Sequence, residues 1–141
     1  MSKSNAWENS LLLLYFNATG SANVTANAAS PITNLYVALY TTDPGEAGTA
    51  TTNEIAYTNY ARVAVARSAV GWNVTNNTVI NNSTVTFPAC GATAGSANYW
   101  ATVDTASGAG TIGYSGSCPL LIITNGITPS FSASALNITE D

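Results

Sequence analysis

Histidine is absent from these 141 residues. Without an imidazole, neither a Ser-His-Asp nor a Cys-His nucleophile can be assembled, and His-bearing metal sites are excluded as well. Charge is nearly as scarce. Asp, Glu, Lys and Arg make up 7% of the chain, against about 25% in ordinary soluble domains. The only cations are Lys3, Arg62 and Arg67, and the formal net charge is −4. Three scattered cations neither neutralise a phosphate backbone nor hold an anionic bilayer, so no nucleic-acid or membrane partner is expected. No apolar run approaches the roughly 20 residues that cross a membrane. The run Leu11–Phe16 is short, follows Glu8 and precedes no clean Ala-x-Ala site, so it reads as mature sequence made in a cytoplasm. Cysteine is down to Cys90 and Cys118, which lack metal-ligand spacing. In that compartment such thiols are more often small buried hydrophobes than a disulfide.

The remaining chemistry is thin. No glycine-rich phosphate loop opens a helix, and Lys3 is poorly placed to serve one. The acids are Glu8, Asp43, Glu46, Glu54, Asp104, Glu140 and Asp141. Glycoside hydrolysis needs two carboxyls facing each other across a cleft, whereas Asp43 and Glu46 share one turn and should lie side by side. Calcium ligation around Asp43–Glu46 or Asp104 lacks EF-hand spacing, and Asp before Pro-Gly commonly caps its own turn. Trp72, Trp100, Tyr57 and Tyr60 could stack on sugars, but such rings more often anchor a core. Arg62 and Arg67 should pair with carboxylates such as Glu54 or Asp43. The expectation is a protein with no catalytic residue, no cofactor and no metal.

What the chain does have is 46% hydrophobic content in regular patterns. Asn, Thr, Ser, Ala and Gly must then supply the surface, and a surface so low in charge can be buried widely against other subunits. Residues 5–16 (NAWENSLLLLYF) predict a helix capped by Ser4, with Trp7, Leu11, Leu14 and Tyr15 on one face. Residues 17–31 read as a flexible arm closed by Pro31. From Leu35 the period becomes two. Strands are predicted over Leu35–Thr41, Tyr60–Arg67, Trp72–Thr75, Thr78–Ile80, Thr84–Phe87, Tyr99–Asp104, Thr111–Ser115, Leu120–Thr124 and Phe131–Ile138. Asp43-Pro44-Gly45, Asn76-Asn77, Asn81-Asn82, Ser107–Gly110 and Asn125-Gly126 supply the turns, and Pro88 and Pro119 mark strand ends. The predicted class is mainly β: an antiparallel two-sheet sandwich, jelly-roll-like, with one N-terminal helix. Its organisation is a helix and arm over 1–31 and a β-sandwich domain over 32–141.

Five segments occur in a particular order: Asp43-Pro44-Gly45-Glu46, Tyr60-Ala61-Arg62-Val63, Thr86-Phe87-Pro88, the Asp104–Gly108 turn and the ending Phe131–Asp141. That order, over residues 35 to 141, resembles a family of small virion proteins of tailed bacteriophages. Members often carry a tail-fibre-like label, and several resemble head decoration (cement) proteins. The chain departs from the pattern at GATAGSANYWATVD, where the family has Trp-Gly and an aliphatic strand.

The resemblance implies a capsid decoration protein that sits on the outside of the head, bridges major capsid proteins and self-associates as a dimer or trimer. It would act mechanically, through many modest contacts multiplied by symmetry. The alternative is a tail fibre or baseplate component, and a carbohydrate-binding module is a further one. Candidate contact residues are Trp7, Leu11, Leu14 and Tyr15 on the helix, Asp43 and Glu46 on the connector, and Arg62 and Arg67.

Overall fold

The computed structural model describes residues 3–20 and 32–140, so most of the arm expected over 17–31 lies outside the described residues. The elements are α1 (Asn5–Asn17), β1 (Asn34–Tyr40), β2 (Val63–Ala66), β3 (Trp72–Thr75), β4 (Thr78–Asn81), β5 (Val85–Thr86), β6 (Gly95–Val103), β7 (Ile112–Ile123), β8 (Ser130–Phe131) and β9 (Asn137–Thr139). This is the mainly β, antiparallel class with one N-terminal helix that the turn spacing predicts. The sheets run β2-β1-β6-β7, β3-β4-β9 and β5-β8. Two compact units are interleaved along the chain. The first takes the described part of Met1–Asn34 with Ala66–Thr84 and Ser132–Asp141; the second takes Leu35–Val65 and Val85–Phe131.

In the first unit Ser4 caps α1, its hydroxyl accepting from the Trp7 amide, and Glu8 sits in the first turn. At the far end Ala18 turns left-handed, and its amide and that of Thr19 both reach back to the Leu13 carbonyl, the latter at 3.0 Å. The most deeply buried stripe is Glu8, Leu12 and Phe16, one position round from the predicted face, whose residues are half-buried. The helix packs on β3, with Phe16 edge-on to Trp72 at 4.8 Å between ring centres. β3 and β4 form a hairpin through Asn76-Asn77 in which Asn76 has φ +56°, as a two-residue turn requires. β9 then pairs with β4, Ile138 opposite Val79.

In the second unit β1 is a central strand, buried on both faces. Against β6 it sets Tyr36 opposite Val103, Ala38 opposite Ala101 and Tyr40 opposite Tyr99. These residues pack with Ala50 and Ile112 into one apolar cluster.

One expected break is missing. β7 runs unbroken through Pro119, where the sequence predicts a strand end. Between the pairs Ala97–Leu121 and Tyr99–Ser117, three residues of β7 (Cys118, Pro119 and Leu120) face the single Asn98. A bulge leaves residues out of the ladder, and proline has no N–H to contribute to one, so Pro119 is accommodated without ending the strand.

Candidate functional site

The second unit is organised around Arg62, which lies just before β2. Its Nε donates to Glu54 Oε1 at 2.7 Å and its Nη2 to Glu54 Oε2 at 2.8 Å, a bidentate pair. Nη1 donates to both the carbonyl and the hydroxyl of Thr105, each at 3.0 Å. Nη2 also reaches the carbonyls of Gly108 at 2.9 Å and Ala50 at 3.2 Å. The side chain is 2% exposed and that of Glu54 14%. One guanidinium therefore ties the return loop at 50–54 to the turn at 105–108. Only glycine fits beside that turn at position 110, since a Cβ there would lie 2.2 Å from Thr105 Oγ1. A cleft of about 230 Å³ opens over Arg62, Tyr60, Ser107 and Gly108. All three guanidinium nitrogens already donate within the protein, so this cleft is a poor anion site.

Two phenols complete the cluster. Tyr60 Oη donates to Glu54 Oε1 at 2.9 Å and accepts from the Leu39 amide at 3.0 Å, while Tyr40 Oη donates to the Ala50 carbonyl at 3.0 Å. Burial pushes the Tyr40 phenol up to about 12, and the Glu54 carboxylate adds to the shift. Burial likewise raises Tyr60 well above the ordinary phenol value. Both raised phenols keep their protons in the folded chain at a pH where the unfolded chain has released them. Their contribution to stability is whole below about pH 10 and declines as pH climbs towards 12. Urea midpoints measured from about pH 9 to about 12 should fall along this limb. Tyr40→Phe should flatten the limb, and an unchanged slope in that variant would remove Tyr40 as its cause.

The motifs that carried the family resemblance meet here. Tyr60 of the Tyr-Ala-Arg-Val segment stacks on Phe87 of Thr-Phe-Pro at 6.3 Å, and Phe87 packs edge-on against Phe131 at 6.1 Å. Arg62 of the same segment binds Thr105 and Gly108 of the aspartate turn. Asp43 caps its turn as expected, Oδ1 accepting from the Gly45 amide at 2.9 Å with Gly45 at φ +71°. Asp104 does the same for the Thr111 amide at 2.8 Å.

The other candidates scatter. Asp43 and Glu46 are exposed and lie together on a cleft of about 450 Å³ that Gly45, Gly48, Thr111 and Ser115 also line. That cleft has two carboxylates but no aromatic face and no cation. Arg67, in the first unit, pairs with carbonyls and not with the carboxylate expected for it. Its Nη2 donates to Leu14 at 2.5 Å and its Nε to Tyr15 at 2.6 Å, which places a cation at the C-terminus of α1. Trp7, Leu11, Leu14 and Tyr15 stay half-buried along that helix. Lys3 pairs with Glu140. All three cations thus have partners within the chain. Trp72, Trp100 and Tyr57 are at most 4% exposed, so their faces are core and not stacking platforms. Cys90 is buried, Cys118 half-buried, and both are free thiols. Among the described residues no three acids or cysteines converge on one point.

Sequence reasoning missed Asn81, read as turn material. It ends β4 with no exposure. Its Nδ2 donates to the Ser83 and Ser132 carbonyls at 2.8 and 2.9 Å, and its Oδ1 accepts from the Leu136 amide at 2.9 Å.

One comparison with known proteins bears on this arrangement. The sequence model of the family described as Podophage GP4 fiber I protein gp80 matches residues 2–139. The chain belongs to that family. As a member of the fiber I family it is a structural protein of a bacteriophage virion. The match begins at residue 2, so α1 lies inside the family's extent along with the strands. A search of the curated proteins finds no match.

Proposed function

We propose that this chain is a building unit of a phage tail fibre, with a mechanical role and no turnover of substrate. The fibre description of its family carries this reading. The internal use of every cation fits it. Lys3, Arg62 and Arg67 each bind within the chain, which leaves little positive charge free to grip nucleic acid or anionic lipid. A nearly neutral exterior costs little to desolvate and suits broad contacts between subunits.

The same neutrality supports a second reading, a decoration protein that clamps major capsid proteins on the exterior of the head. Copy number and location separate the two. Quantitative mass spectrometry of purified heads and purified tails should find the protein with the tails, at fewer than about a dozen copies per particle for each symmetric ring it occupies. Recovery with heads, at copy numbers that follow the major capsid protein, would replace the fibre reading with decoration.

A further inference from the structure

Asn125-Gly126 is the only Asn-Gly pair in the chain. In such a pair the glycine amide nitrogen can attack the asparagine side-chain carbonyl carbon, because the following residue has no Cβ to obstruct the approach. Here both residues are exposed, yet the backbone holds the nitrogen out of line. The Ile127 amide donates to the Thr124 carbonyl at 2.9 Å, Asn125 has negative φ and Gly126 has φ +83°, which together define a type II turn. That turn sets ψ of its first central residue, Asn125, near about +120°. Closing a five-membered imide needs ψ of the opposite sign. The Gly126 amide also donates to the Cys90 carbonyl at 2.8 Å, so the proton it would have to lose is held. Of the two Asn-Ser pairs, the next in reactivity, Asn9 lies inside α1 and the Asn82 amide donates to the Ala69 and Val70 carbonyls.

We propose that Asn125 is a latent deamidation site, closed while the 124–127 turn is formed and reactive whenever that turn opens. In the open chain the Gly126 amide gives its proton to a solvent base and its nitrogen bonds to Asn125 Cγ. The Cγ–Nδ2 bond breaks, and the side-chain nitrogen takes up a proton and leaves as ammonia. Water then opens the imide at either carbonyl, leaving aspartate or isoaspartate. One water is consumed, one ammonia is released, and nothing is oxidised or reduced. Either product places a first charge in the stretch from Thr105 to Thr139, which has none. The two products differ in what they do to the fold. Aspartate keeps the backbone and projects into solvent, so the turn can form again. Isoaspartate routes the backbone through Cβ and carries the Gly126 amide away from Cys90. The Cys90 amide in turn donates to the Ile127 carbonyl at 2.8 Å, so this pair of bonds ties the segment before β6 to the turn after β7. The site does not depend on the fibre assignment.

The full chain is incubated at mildly alkaline pH, in buffer and in urea above its unfolding midpoint, and peptide mass spectrometry follows each asparagine. In urea Asn125 should convert faster than any other asparagine. In buffer it should convert at least about tenfold more slowly than in urea, since only the open fraction of the turn reacts. Gly126→Ala, compared in urea where folding is not at issue, should slow the conversion about tenfold by putting a Cβ beside the attacking nitrogen. After removal of urea, the aspartyl product should regain wild-type protection of the Gly126 amide in hydrogen exchange and the isoaspartyl product should not. A native rate within tenfold of the urea rate would overturn the closed turn. Conversion in urea no faster at Asn125 than at Asn82, or indifferent to Gly126→Ala, would overturn the site itself.

Discussion

Arg62→Met should lower the unfolding free energy by about 3–5 kcal/mol, the usual cost of removing one partner from a buried ion pair. Several losses coincide at this position. The Glu54 side chain, 14% exposed, keeps its charge without a cation, although Tyr60 still donates to it. The carbonyls of Thr105 and Gly108 lose the Arg62 donors that hold their loop, while the Ala50 carbonyl keeps only the Tyr40 hydroxyl. Lysine does not rescue the site, because a single ammonium cannot match a fork that spans Glu54 on one side and Thr105 on the other. Arg62→Lys should therefore recover less than half of the loss.

A double-mutant cycle separates charge from packing. Glu54→Gln combined with Arg62→Met should be more stable than Arg62→Met alone by about 1–2 kcal/mol, since the uncompensated charge is gone. The measurement is urea unfolding with linear extrapolation. If Arg62→Met costs less than about 1 kcal/mol, the cluster behaves as an exposed pair would and does not organise the unit.

The Arg62–Glu54 pair was legible in the sequence because so few charges exist that each carboxylate is a candidate for each cation. The same applies to the strands, where period-two patterns and Asn- or Gly-containing turns act over a few residues. The Asp43-Pro44-Gly45 turn is another local case: the aspartate caps it and the glycine supplies positive φ. What was not legible depends on residues distant in sequence. Pro119 removes a donor locally, but whether that ends a strand depends on what β6 offers opposite, and here Asn98 faces a bulge. Arg67 looked like a partner for a carboxylate because sequence does not show that the open carbonyls of α1 lie nearer. The two units, each assembled from separated stretches of chain, have no compositional boundary to read.

Asn81 is the sharpest of these cases. Asn-Asn between two short strands is ordinary turn chemistry, and nothing local separates an exposed turn asparagine from a buried one. The structure places Asn82 at the surface and Asn81 in the interior of the first unit. Both amide hydrogens of Asn81 are used and its oxygen accepts from Leu136, while its backbone exchanges bonds with Leu136 and Ser134. This one residue joins the end of β4 to the approach to β9.

Asn81→Ala should cost about 1–3 kcal/mol, because the buried Leu136 N–H is left without its acceptor, whereas the Ser132 carbonyl keeps the Ala135 amide. Asn81→Asp keeps the shape but sets a carboxylate oxygen against the Ser83 and Ser132 carbonyls. Burial and those acceptors should raise its folded pKa above the unfolded value. The aspartate variant should therefore come nearest to wild type at low pH, where a protonated oxygen can still donate, and lose stability as pH rises to neutral. Native-state hydrogen exchange provides the local readout. In both variants the Leu136 and Ile138 amides should exchange faster than in wild type, while the Val103 amide of the other unit should change less. Wild-type protection of Leu136 in Asn81→Ala would mean that the asparagine fills space there and nothing more.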